Sequence, residues 1–143
     1  MNVIQPIQVP GKPATATLGL LDVDIHPRPK SLEEFRPFLT DRWWQHMLTW
    51  GMRQRHGFTG GSPPFPKAQP LASRRDSWPP NGGTPCSDLD FMRFQLLDNY
   101  GHDIGVLNPL QPSGQGDRNN AFSAAMAHAV NEWQLAEWVV PEP

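Results

Sequence analysis

The run Leu21-Asp22-Val23-Asp24-Ile25-His26 constrains this chain more than any other stretch. The β-branched Val23 and Ile25, in the apolar-rich segment LGLLDVDIH over residues 18–26, predict a short strand. Pro27 and Pro29 stop it, because proline cannot donate to a ladder. Side chains on a regular strand alternate between faces, so Leu21, Val23 and Ile25 share one face and Asp22, Asp24 and His26 the other. A strand inside a parallel sheet is usually apolar on both faces. Two carboxylates and an imidazole on one face are costly unless something satisfies them. A divalent ion does so, and Asp24 and His26, two apart at the strand's carboxyl end, are placed to share one. Carboxylate oxygen and imidazole nitrogen suit zinc, manganese or iron. On spacing alone, an Asp-x-His is also an ordinary hydrogen-bonded pair.

Beyond that strand, Ser31 and Glu34 have capping-box spacing, and Pro37 keeps the helix they open short or broken. A second helix is predicted from a cap at Asp41 to about Gln54. Trp43, Met47 and Trp50, flanked by Trp44 and Leu48, give it a stripe that reads as packing rather than ligand stacking. Residues 57–87 are read as a loop insertion, because GFTGGSPPFP and SWPPNGGTPCS repeat glycine and proline breakers. So long a loop in a compact domain is functional or mobile. Its Arg74, Arg75 and Asp76 read first as solvated charges. Ser87 is expected to cap the next helix, with Asp88 and Asp90 in its first turn. Leu89, Met92, Leu96 and Tyr100 trace one face of that helix, and Gly101 is its expected stop. Ile104–Leu107 reads as a second strand, closed at Asn108-Pro109. An alanine-rich helix follows from about Asn119 to Trp138, burying Phe122, Met126, Val130 and Trp133. Residues 1–17 read as an irregular leader. Strands alternating with helices predict an α/β fold built on a parallel sheet.

Bulk properties exclude several function classes. The 143 residues carry a net charge of −2, without the basic footprint of a nucleic-acid binder. The longest apolar runs fall well short of the about 18 residues that a membrane span needs, and the N-terminus lacks the features of a secretion signal. Cys86 is the one cysteine, so no internal disulfide forms. A cytoplasmic location is the resulting expectation. Gly114-Gln115-Gly116 lacks the lysine and hydroxyl partners of a phosphate loop, and the Gly-x-Ser-x-Gly of a serine hydrolase is absent. With 17 prolines and 12 glycines, about a fifth of the chain, much of it must be loop.

The pattern resembles the amidohydrolase superfamily, in its branch related to aminocarboxymuconate semialdehyde decarboxylase. Members open with a strand ending in Asp-x-His, Glu-x-His or His-x-His, and DVDIHP is similar to that opening, with Asp24 and His26 at the metal positions. Asp22 precedes the motif and is not carried over. SWPPNGGTPCSDLDFMRFQLLDNYGHDIGVLNPL looks like the family's first barrel helix and second strand, and NEWQLAEWVVPEP like the end of its next helix. The resemblance covers about residues 18–143. It implies the N-terminal β/α units of a (β/α)₈ TIM barrel with a catalytic divalent ion, most often zinc, with manganese or iron as alternatives. It further implies hydrolysis or decarboxylation of a small carboxylic-acid or aromatic substrate. The family's remaining ligands are histidines on middle strands and an aspartate on a late strand, which this chain is not expected to contain. The chain alone is therefore expected to be inactive, and a complementing chain or a homo-oligomer is the expected partner. Neither a nucleic acid nor a membrane is expected. His46, His56, His102 and His128 are weaker substitutes for the missing ligands. The alternative is a non-catalytic protein-interaction module derived from the same fold.

Overall fold

The computed structural model describes residues 19–52, 74–110, 112–114 and 117–142. The irregular leader, His56, Gln54 and most of the 57–87 insertion lie outside them. In chain order the elements are β1 (Leu21–Ile25), a 3₁₀ segment (Leu32–Phe38), α1 (Asp41–Trp50), a 3₁₀ turn (Arg75–Ser77), α2 (Leu89–Met92), β2 (Ile104–Leu107) and α3 (Asn120–Gln134). α2 continues as a π-helical segment over Arg93–Asp98, and α3 as another over Leu135–Val139. Among the described residues β1 and β2 form one two-stranded sheet and run parallel, as alternating strands and helices lead one to expect.

The local signals explain most of these boundaries. Pro37 lies inside the first helical segment, which is 3₁₀ rather than α. Ser31 precedes it without a side-chain cap. Instead Glu34 Oε1 accepts from the Lys30 N–H at 3.1 Å, which moves the expected reciprocal cap by one residue. Thr40, not Asp41, stands at the N-cap of α1, and Asp41 is its first helical residue. Asp88, not Ser87, caps α2: its Oδ1 accepts from the Phe91 N–H at 2.9 Å, while the Ser87 hydroxyl donates to Thr84 O. Gly101, with φ of 65°, ends that helix in the left-handed conformation glycine adopts freely. Asn119 caps α3 by accepting from the Ala121 and Phe122 N–H groups.

β1 departs from regular alternation. Leu21 pairs with Ile104 and Asp22 with Gly105, but Ile25 pairs with Leu107, so three steps on β1 face two on β2. This is a bulge. Asp22 supplies its local cause, because its Oδ1 accepts from the Asp24 N–H at 2.9 Å and draws that donor away from the ladder. The extra residue resets the faces. Ile25 is 4% exposed, whereas Leu21 and Val23 are 51% and 67% exposed. The expectation that these three share a face is therefore corrected.

The core lies between the 3₁₀ segment, α1 and α3. Phe122, Met126, Val130 and Trp133, the stripe expected on α3, are all at most 1% exposed. Phe35 is fully buried and meets Trp133 edge to face, with ring centroids 5.4 Å apart. Met47 carries the buried contact of α1, while Trp50 and Leu48 face outward. Gly114 closes the entry to α3 at φ of 76°. A Cβ there would stand 2.5 Å from Ala127 N and 2.6 Å from Ser123 O, so backbone approach as well as conformation requires glycine.

Candidate metal centre

The carboxyl ends of β1 and β2 bring together three polar residues, Asp24, His26 and Asn108. Asn108, just beyond β2, grips both others. Its N–H donates to Ile25 O at 2.6 Å and continues the ladder past the strand. Its carbonyl lies 2.8 Å from His26 Nδ1. A carbonyl only accepts, so Nδ1 carries the proton and, in the neutral ring, Nε2 keeps a free lone pair. Its side-chain Nδ2 donates to Asp24 Oδ1 at 3.1 Å. Asp24 Oδ2 is left facing His26 Nε2 at 3.5 Å.

This arrangement fits two ligands of a single divalent ion. Metal-binding imidazoles commonly have the second nitrogen held by a backbone carbonyl or carboxylate. With ligand distances of about 2.0–2.1 Å, two corners of a tetrahedral site lie about 3.4 Å apart, close to the separation seen. Two ligands do not complete a site, since a catalytic zinc centre usually has three from the protein. Among the described residues there is no group of three or more His, Cys, Asp or Glu side chains that could hold a metal.

The other candidates are elsewhere. Asp22 bonds to the Asp24 backbone, which gives it a local structural task. The His46 ring packs 4.8 Å from that of Phe122. His102 lies before β2, at the opposite end from the site, with Nδ1 3.2 Å from Leu96 O. His128 sits on the outside of α3, 3.9 Å from Glu132. In the insertion, Arg74 pairs with Asp76 at 2.5 Å. That bond raises the arginine and lowers the carboxyl relative to their usual ranges.

Cys86 lies next to the site. Its carbonyl accepts from the Arg28 N–H at 2.8 Å, tying the chain just after β1 to the end of the insertion. It is a non-glycine residue at φ of 58°, in the sparsely populated left-handed region. Burial pushes its thiol up to about 11, against the opposing pull of a hydrogen bond from the His26 backbone and the charge of Arg28. The thiolate is the reactive form, so at pH 8 Cys86 should alkylate roughly two hundredfold more slowly than an ordinary cysteine of pKa about 8.5. The rate should climb about tenfold per pH unit up to pH 10. A folded-state value above the unfolded one also means that this thiol's contribution to stability is complete below about pH 8.5 and declines as pH rises toward 11. Iodoacetamide kinetics on the folded protein check this, and a rate that levels off by pH 9 would contradict it.

No protein-family model matches the chain, and no curated protein matches it. No helix among the described residues is long and apolar enough to cross a membrane. The residue that sequence reasoning missed at the site is Asn108. Its available signal was a polar side chain at the carboxyl end of the second parallel strand, immediately before the proline that ends it.

Proposed function

We propose that this chain carries the opening β/α units of a metal-dependent hydrolase or decarboxylase of the amidohydrolase kind. Such an enzyme acts on a small carboxylic-acid or aromatic substrate, within a (β/α)₈ barrel that further strands complete. The observation that carries the reading is the hold of Asn108 on both Asp24 and His26, which presents two ligand atoms 3.5 Å apart at the carboxyl ends of parallel strands. Barrel enzymes build their active sites at that end. An ion held there supplies Lewis-acid chemistry, and the task of Asp24 and His26 is to hold it while Asn108 fixes their orientation.

The sheet supports the same reading. Ile104 and Val106 on β2 are 54% and 45% exposed, as Leu21 and Val23 are on β1. Parallel strands are normally covered on both faces, so neighbouring strands and helices, from a complementing chain or a second copy, would bury these side chains. The missing ligands would come from the same strands.

Zinc titration followed by elemental analysis tests the proposal. The chain alone should bind zinc weakly and below one equivalent. A mixture with a polypeptide carrying the remaining strands should hold one equivalent and gain hydrolase or decarboxylase activity. Tight stoichiometric zinc on the chain alone would overturn the two-ligand assignment. An assembly indifferent to zinc would favour an interaction module instead.

A further inference from the structure

Arg28 and Lys30, the start of α2 and the end of α3 enclose an open cavity of about 420 Å³. Asp24, His26 and Asn108 do not line it, so it stands apart from the candidate metal centre.

Most of its charged groups are already satisfied. Glu34 accepts from the Lys30 N–H and from Trp133 Nε1, the latter at 2.8 Å. Asp88 accepts from the Phe91 N–H and from Asn81. Arg93 is held by Asp90 at 2.8 Å and by Glu142 through its Nε at 2.5 Å. Three lining side chains have no hydrogen bond or ion pair to a described residue: Arg28, Lys30 and Glu137. Arg28 is half-buried. A guanidinium keeps its charge at any ordinary pH, and a partly desolvated charge without a counter-charge is unfavourable. An anion entering the cavity would relieve that cost. A phosphate is poorly suited, since it would bring about two negative charges beside Glu137, Asp88 and Asp90. A zwitterion answers the unpaired charges of both signs. Leu89 and Trp138, which also line the cavity, offer apolar surface to the body of such a ligand.

We propose that this cavity binds a free α-amino acid with an apolar side chain. Its carboxylate pairs with Arg28 and Lys30, its ammonium faces Glu137, and its side chain lies against Trp138 and Leu89. The site does not depend on the metal reading, and each can fail without the other.

L-Phenylalanine titrated into ¹⁵N-labelled protein tests it, with the indole N–H signals of Trp133 and Trp138 as reporters. These signals should shift saturably. 3-Phenylpropionate, which lacks the ammonium, and phenethylamine, which lacks the carboxylate, should each bind about tenfold more weakly. Arg28→Gln should weaken phenylalanine binding by about tenfold and leave phenethylamine binding unchanged, and Glu137→Gln should do the converse for phenylpropionate. Neither side chain makes a structural bond, so both variants should keep the wild-type circular dichroism. The analogue comparison on the wild-type protein stands without either variant. Absence of a saturable shift at large ligand excess, or equal binding of phenylpropionate and phenylalanine, overturns the proposal.

Discussion

Trp133→Ala should lower stability by about 3–5 kcal/mol, enough to unfold much of a domain whose total is about 5–15 kcal/mol. Trp133 is 1% exposed and sits where the buried stripe of α3 meets the 3₁₀ segment. Its ring touches Phe35 edge to face and lies 6.3 Å from Trp138. Truncation leaves a cavity lined by fixed side chains and removes the donor to Glu34 Oε2. Trp133→Phe separates these losses. It keeps most of the ring contact, drops only the N–H, and should cost about 1–3 kcal/mol. Urea unfolding followed by circular dichroism reads both. A Phe variant as damaged as the Ala variant would show that the hydrogen bond to Glu34, rather than ring packing, dominates.

The second large effect is on metal affinity. His26→Ala should lower zinc affinity by about a hundredfold or more, because it removes one of two direct ligands. Asn108→Ala should lower it by about 10–100-fold, the usual range when a group that orients the ligands is lost. The Asn108 backbone carbonyl, and with it the bond to His26 Nδ1, survives that substitution; only the bond to Asp24 is lost. Asp22→Ala should have the smallest effect of the three, since Asp22 reaches the site only through the Asp24 N–H. Calorimetric zinc titration of the three variants gives the order directly. A loss at Asp22 as large as that at His26 would make Asp22 a ligand and overturn the assignment.

Much of the fold was legible because its signals are local. β2 occupies the four residues its apolar run predicts, Gly101 stops the preceding helix, and the buried face of α3 falls on the four residues its spacing marks. Asp24 and His26 come together as neighbours on one strand. What escaped depends on contacts across the chain or on competition between nearby groups. The faces of β1 could not be read from period two, because the Asp22 carboxylate takes the Asp24 N–H and inserts a bulge. Ser87 and Asp88 both had capping chemistry, and only the backbone path decides which side chain faces the first free N–H groups of α2. Asn108 and the cavity join residues far apart in sequence, and no periodicity carries that information.

The long reach of these contacts also sets the order in which the molecule can assemble. Trp133 and Glu34 bond across 99 residues, and Asn108 and Asp24 across 84. Closures of that span are slow relative to local helix formation. During synthesis Phe35 has no ring partner until α3 has been made, so the N-terminal half waits with apolar surface uncovered. The pair Asp24–His26 acquires its orientation earlier in the chain's emergence, once Asn108 is present, than the core acquires its packing. A nascent chain stalled between those two points is the species most exposed to aggregation or chaperone capture.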